Sequence, residues 1–547
     1  MSHGRWLART LLVVTAMAGV FVAGATPAFA HAEVERTNPV ANSVVESPPR
    51  QITLTFDEGV FPAHDAIRLY DDRLAPVGLG ETFHPRGVGK LVAARVQERL
   101  DTGTYTVVWR VTSDDAHVVA GQFTFSVGHA TAVSGIAPGT KHNSTTSLLS
   151  ALARGLGYLG LLLGPGALVV MVWLWPAGFA RRRVRLMVYG GGLLVVLAAG
   201  LAVWVQGAAA AGVSVGHALD GADLRLGMAG HFGRAVAGRV VLLVALLWFA
   251  LAGMQGRGRV PAVRTTAVAF LLAATWPYAG HAAAGDLVPL AFIADWVHVS
   301  AMATWLGGLA VLLVGPLRDT TGPDPSPESF PMLEAFSEWA LNAVTLIVAT
   351  GLFAAWRNVR IVGALTGTHY GRLLIWKTAA VVLVVAVARL SRRYAEGLDR
   401  RAGAPLPVLR RSVVAEAAGA VAILAITAFL TGTAQASQSY GPAFTRSAVH
   451  DGVTVTVHVD RTHLGVAHLV VSTTRHGRVE PIESIEGSLS EAAPPVGPLP
   501  LVFHAAGSGR ETATFTFPGV GDWSLNLGVG TESGQQIAVA TNIHVRG

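Results

Sequence analysis

Residues 288–315 read "VPLAFIADWVHVSAMATWLGGLAVLLVG". As a helix rising 1.5 Å per residue, such a run is about 40 Å long, more than the roughly 30 Å hydrocarbon core of a bilayer. It is a membrane span, yet it contains an acid and a histidine. On a helix Asp295, His298, Met302 and Trp305 fall at i, i+3, i+7 and i+10, which makes one stripe. His298 lies about nine residues beyond Pro289, hence roughly 14 Å below the surface. At that depth an ionisable group is costly unless it faces the interior of a bundle.

Further apolar stretches lie near residues 149–175, 186–206, 236–254, 265–283, 336–356, 372–389 and 412–432, so eight spans are expected. The chain has 547 residues, 51% of them hydrophobic and 14% charged, with a formal net charge of +7. That positive balance does not point to nucleic acid. It is arginine between spans: Arg181, Arg182, Arg183, Arg185, Arg257, Arg259, Arg264, Arg318, Arg389, Arg392, Arg393, Arg400, Arg401, Arg410 and Arg411 fall in alternate loops, against Arg225, Arg234, Arg357, Arg360 and Arg372 in the others. By the positive-inside rule the richer loops are cytoplasmic, and both chain ends are on the outer face of the cytoplasmic membrane.

The chain begins with Arg5 and Arg9, then an apolar run too short to span comfortably, then Ala28-Phe29-Ala30. This is the order of a secretory signal peptide, residues 1–30. Cleavage after Ala30 makes His31 the mature N-terminus, where the α-amine and ring Nδ1 can close a chelate around a metal. Residues 31–130 alternate in short β-branched and aromatic runs such as "QITLTF" and "GTYTVVWRV", which predicts a β-sandwich. A small-residue linker, 131–148, leads to the membrane domain, 149–432. Residues 437–547 return to β alternation and predict a second sandwich on the outer face. Its histidines, His450, His458, His463, His468, His476, His504 and His544, are scattered, and His458 reads as a surface or packing residue, with weak copper binding as the alternative.

There is no cysteine, so a metal site must use His, Met, Asp, Glu or the α-amine. Asp115 and His117 are two apart and in extended chain share a face. Alone, such a pair reads as a polar loop. Joined to His31, it completes two imidazoles, an amine and a carboxylate, an N-rich set that suits Cu(II). "RGVGK", residues 86–90, lacks the first glycine and the Ser/Thr of a P-loop and reads as a turn.

With His31, "NPVANSVVESPPRQITLTFDEGV" and "GTYTVVWRVTSDDAHVVAGQFTFSVG", the N-terminal segment resembles the CopC family of copper-binding proteins. The resemblance implies an Ig-like or cupredoxin-like sandwich holding Cu(II) through His31, Asp115 and His117, with Glu58 beside the terminal amine. No Met lies between His31 and Leu149, unlike relatives with a Met-rich Cu(I) stretch. "GHAAAG", "DWVHVSAMATWLGGLAVL", "AFSEWAL", "YGRLLIWK" and "RRSVVAEAA" resemble the CopD family, and the domain order is that of fused CopC–CopD proteins of the YcnJ type.

His281 could meet His298 from the preceding helix. With Asp295 and the Met302 thioether they would form a copper path, soft sulfur favouring Cu(I). The plainer roles are an interhelical hydrogen bond for His298 and gap-filling for Met302. His217, Met228 and His231 form an entrance or are interfacial; Lys377 and Glu416, at CopD-like positions, read as snorkelling or hydrogen-bonding residues rather than as a pair. The expected function is copper transport, with uptake as its direction; copper buffering or sensing is the alternative. A copper monooxygenase is a weaker reading, because Asp115 would fill the position oxygen needs. A haem bundle would need facing histidines beyond His281 and His298. The expected partners are copper and the lipid bilayer, and no segment identifies a chaperone or reductase.

Overall fold

The computed structural model describes residues 32, 34–41, 43–113, 118–129, 131, 144–218, 220–255, 259–280, 287–318, 329–399, 406–463, 465–492, 495–517 and 521–545. They fall into a helical unit and a β unit that holds both β regions. The expected signal peptide, together with His31, Asp115, His117 and His281, lies outside the described residues.

The first β region comprises β1 (Val34–Asn38), β2 (Val44–Val45), β3 (Gln51–Phe56), β4 (Val60–Tyr70), β5 (Pro76–Val77), β6 (Leu91–Arg95), β7 (Gly103–Ser113) and β8 (Val118–Val127). In β3 every second residue is buried, so Ile52, Leu54 and Phe56 all face the core. One sheet has the order β1-β3-β6 and the other β2-β8-β7-β4-β5. Their inner faces share Ile52, Leu54, Phe56, Val107 and Phe125, the core of a sandwich. Residues Pro85–Gly87 make a short 3-10 turn with Arg86 and Gly87 at φ 55° and 70°, so "RGVGK" is the turn its sequence predicts.

Eight long helices follow: α1 (Thr145–Leu174), α2 (Arg182–Ala211), α3 (Gly230–Gln255), α4 (Arg259–Tyr278), α5 (Val288–Val314), α6 (Ser329–Val359), α7 (His369–Asp399) and α8 (Leu406–Leu430). Among the described residues, seven contain a segment long and apolar enough to cross a membrane. The other is α4, whose threonines, Trp276, Pro277 and Tyr278 dilute its apolarity. Thr265 and Thr275 are buried, and the helix packs against α3 and α5. Short connections make α1 and α2, α3 and α4, α5 and α6, and α7 and α8 antiparallel neighbours. A π turn at Leu162–Gly166 brings α1 against α5, where a Cβ on Gly166 would lie 2.1 Å from the Ala303 carbonyl oxygen. Only glycine permits that approach, which fixes the helix carrying Asp295 and His298.

The last β region comprises β9 (Phe444–His450), β10 (Val453–Val459), β11 (Gly465–Arg475), β12 (Arg478–Val479), β13 (Ile482–Ala492), β14 (Pro495–Pro500), β15 (Phe503–Ala505), β16 (Arg510–Phe517), β17 (Gly521–Thr531) and β18 (Gln536–Val545). One sheet runs β15-β16-β11-β10-β9, with β12 paired to β11, and the other runs β14-β13-β17-β18. β10, "VTVTVHV", puts Val453, Val455, Val457 and Val459 into a core closed by Trp523. This is the second sandwich.

Candidate functional site

The strand ends of the first sandwich converge on one turn. Val34 opens β1 three residues after His31 and pairs with Phe56 at the end of β3. Asp57, Glu58 and Gly59 lead into β4, whose first residue, Val60, pairs with Ser113 at the end of β7. β8 resumes at Val118, opposite Thr112. Paired Cα atoms lie about 4.5–5.5 Å apart. The half-buried Glu58 sits in this turn.

That edge is firmly held. Ala32, next to His31, is only 5% exposed and belongs to the core. The Phe56 and Val60 amides donate to the Lys90 and Gly89 carbonyls at 2.9 and 3.0 Å, and the Lys90 ammonium donates to the Asp57 carbonyl. Beneath the turn the Phe56 ring meets Trp109 edge-on at 5.4 Å. Trp109 in turn covers Gly121, where a Cβ would come within 2.5 Å of the indole. Among the described residues no group of three or more His, Asp or Glu side chains is placed to hold a metal ion.

A second concentration of polar groups lies inside the helical unit. α1, α3, α5 and α7 run one way and their partners return, so Arg154, Arg239, Asp295, His298, Thr350, Arg357 and Lys377 all sit towards the same end of the bundle. His298 Nδ1 is 2.9 Å from Thr350 Oγ1 on α6, and that hydroxyl donates its own proton to the Leu346 carbonyl at 2.6 Å. The Ile347 backbone is a further hydrogen-bond partner of the ring. Gly351 leaves room for the ring, a Cβ there being 3.5 Å from His298 Cε1.

Asp295 is within electrostatic reach of Lys377 and Arg357. One reading of the sequence is corrected: Arg357, assigned to an outer loop, belongs to α6 and is 8% exposed. Met302 packs with Trp305 and Trp276 against a separate apolar cluster, as a gap-filler does, so the stripe divides into a polar upper part and an apolar lower part. Glu416 accepts from Ser412 at 3.2 Å. The His231 ring packs edge-on against Tyr278, whose hydroxyl accepts from Arg234, and Met228 is exposed nearby in sequence.

Sequence reading missed Arg239, buried in α3. Its guanidinium donates to the Thr275 hydroxyl at 3.0 Å and carbonyl at 3.1 Å, and lies 4.1 Å from the Trp276 ring centre. Its signal was an arginine well inside an apolar run, the same signal His298 gave.

A β-sandwich, a multi-helix bundle with charged groups in its interior and a second sandwich define a multi-pass membrane protein with appended β domains. Comparison with known proteins specifies it further. A family described as CopC domain matches residues 34–128, and one described as Copper resistance protein D matches residues 330–430. The chain belongs to the fused CopC–CopD family of copper proteins. It is 24% identical over 478 residues to the Copper transport protein CutJ of Bacillus subtilis, covering 84% of each chain. It is 32% identical over 124 residues to Copper resistance protein C of Xanthomonas campestris pv. juglandis, covering 22% of this chain and 96% of that protein. The crystal structure of CopC from Methylosinus trichosporium OB3b matches at 27% identity and a TM-score of 0.17, covering 19% of this chain and 100% of that one. Asp115 and His117 fall within the CopC match, whereas Asp295 and His298 precede the CopD match.

Proposed function

We propose that this protein takes up copper across the cytoplasmic membrane, capturing Cu(II) outside and passing it inward through the bundle. Both β domains face outward, and the work is carriage without bond-making chemistry. Copper is the cargo: the terminal amine and ring of His31 bind it with His117 and Asp115, and Glu58 lies beside the amine. Domain limits at 31–130, 149–432 and 437–547 fit this division, with a cleaved leader before His31. The observation that supports the capture site is the convergence of β1, β3, β4 and β7 at the Glu58 turn, since the ends of β1 and β7 are the described strand ends that adjoin positions 31 and 115–117 in sequence.

Within the bundle, His298 is the stop for copper, held by Thr350, with Asp295 one helical turn before it balancing the positive charge of Lys377. Met302 contributes by packing, and His281 is the proposed partner from the segment before α5. The name of the Bacillus subtilis relative supports transport over buffering. Whole-cell copper content at fixed external copper tests the reading: expression should raise it, and His298→Ala should cancel the rise at unchanged membrane levels. A fall in cell copper on expression would mean export or surface buffering.

A further inference from the structure

The outward face of the larger sheet in the last sandwich carries two histidines on neighbouring strands. β10 and β11 pair His458 with Val470 and Val459 with Leu469. His468 is thus the diagonal neighbour of His458, and both point away from the valine core. Diagonal neighbours on one face are about 7–8 Å apart at Cα, a span two imidazoles can close around one ion. The sequence separation and the polar surroundings hide this pairing; only the strand register brings the two together.

Each ring is held from its outer flank. His458 Nδ1 bonds the Thr445 hydroxyl on β9 at 2.8 Å, and His468 Nδ1 bonds the Thr514 hydroxyl on β16 at 3.1 Å. β9 and β16 lie on opposite sides of the β10–β11 pair. In an imidazole Nε2 lies on the far side of the ring from Nδ1. Anchoring Nδ1 outward on both rings therefore turns both Nε2 atoms inward, over the seam between β10 and β11. A hydroxyl accepting from Nδ1–H leaves the lone pair on Nε2, the arrangement by which metal-binding histidines are oriented. Asp460 lies beside them: its Oδ1 accepts from the His468 amide at 2.8 Å, and its Oδ2 is 3.8 Å from the Arg461 guanidinium.

We propose that His458 and His468 form a two-imidazole metal site on the C-terminal domain, which takes Cu(II) with water completing the coordination. Imidazole suits copper, and among divalent first-row ions Cu(II) binds such nitrogen sites most tightly. The site is separate from the capture site at His31 and gives the outer region a second, weaker holding point for copper.

The test uses the full-length purified protein carrying His31→Ala and His117→Ala, titrated with Cu(II) alone and read by electron paramagnetic resonance. His458→Gln and His468→Gln should each abolish the same single Cu(II) equivalent, whereas His504→Gln, on β15 two strands beyond β11, should keep it. Thr445→Val and Thr514→Val should each weaken that equivalent by roughly 10–100-fold through loss of ring orientation. These two variants carry the test should glutamine disturb folding. Unchanged Cu(II) stoichiometry in both histidine variants overturns the proposal, as does a loss confined to one of them, which would mean a lone surface histidine. Because the His31 site is removed throughout, its own failure as a ligand set would leave these differences unaltered.

Discussion

His298 Nδ1 lies 2.9 Å from Thr350 Oγ1 across the α5–α6 interface, and the threonine proton is committed to Leu346. One hydroxyl thus helps to orient a histidine inside a membrane bundle. Thr350→Val keeps the shape and removes the hydroxyl. Copper accumulation should fall, with an affinity loss of roughly 10–100-fold at the stop, while Thr350→Ser retains it. Cell copper content normalised to membrane protein checks this, and wild-type accumulation by the valine variant would remove His298 from the path.

At the capture edge, an extra alanine before His31 keeps the imidazole and destroys the amine chelate. Competition titration should find Cu(II) affinity steeply reduced in this variant and in His117→Ala, with a smaller loss in Asp115→Asn. Equal affinity in the extended variant would mean that the terminal amine is not a ligand.

Asp295 and Lys377 are within electrostatic reach of each other in the helical unit. Removing one member of a buried charge pair strands the other, at a cost of about 3–5 kcal/mol, while removing both is far milder. Asp295→Asn and Lys377→Met should therefore each lower thermal stability in detergent, and the double variant should recover most of the loss. Additive losses would show that the two do not interact.

Glu491 is 7% exposed, and burial, reinforced by Asp522, raises its carboxyl above the usual glutamate value. The folded state therefore holds this proton more tightly than the unfolded state. Its contribution to stability is full below the unfolded value and is lost as pH rises through the folded one. Glu491→Gln should raise the thermal midpoint of the C-terminal domain at neutral pH and flatten its decline from about pH 4 upward. A midpoint falling equally with pH in both proteins would contradict this.

The β domains were legible because "QITLTF" and "VTVTVHV" alternate strictly, and period two admits only one buried face. The helices were legible from apolar length, even α4, whose composition alone falls short of a span. Contacts between helices were not. The burial of Arg357, the electrostatic coupling of Lys377 with Asp295 and the anchoring of Arg239 on Thr275 and Trp276 depend on which helix faces which, information that periodicity along one segment does not carry. His458 and His468 failed to stand out for a related reason. Ten positions apart, they become neighbours only through the register of β10 on β11.

The most direct test of copper uptake through the bundle is copper entry into sealed vesicles of known orientation, with the β domains outside and copper supplied only there. The wild-type chain should load the lumen, His298→Ala should abolish loading, and Cu(II) binding at His31 should be the same in both. Luminal copper that stays at the level of protein-free vesicles, with the capture site fully occupied, would contradict uptake and leave a protein that holds copper at the surface.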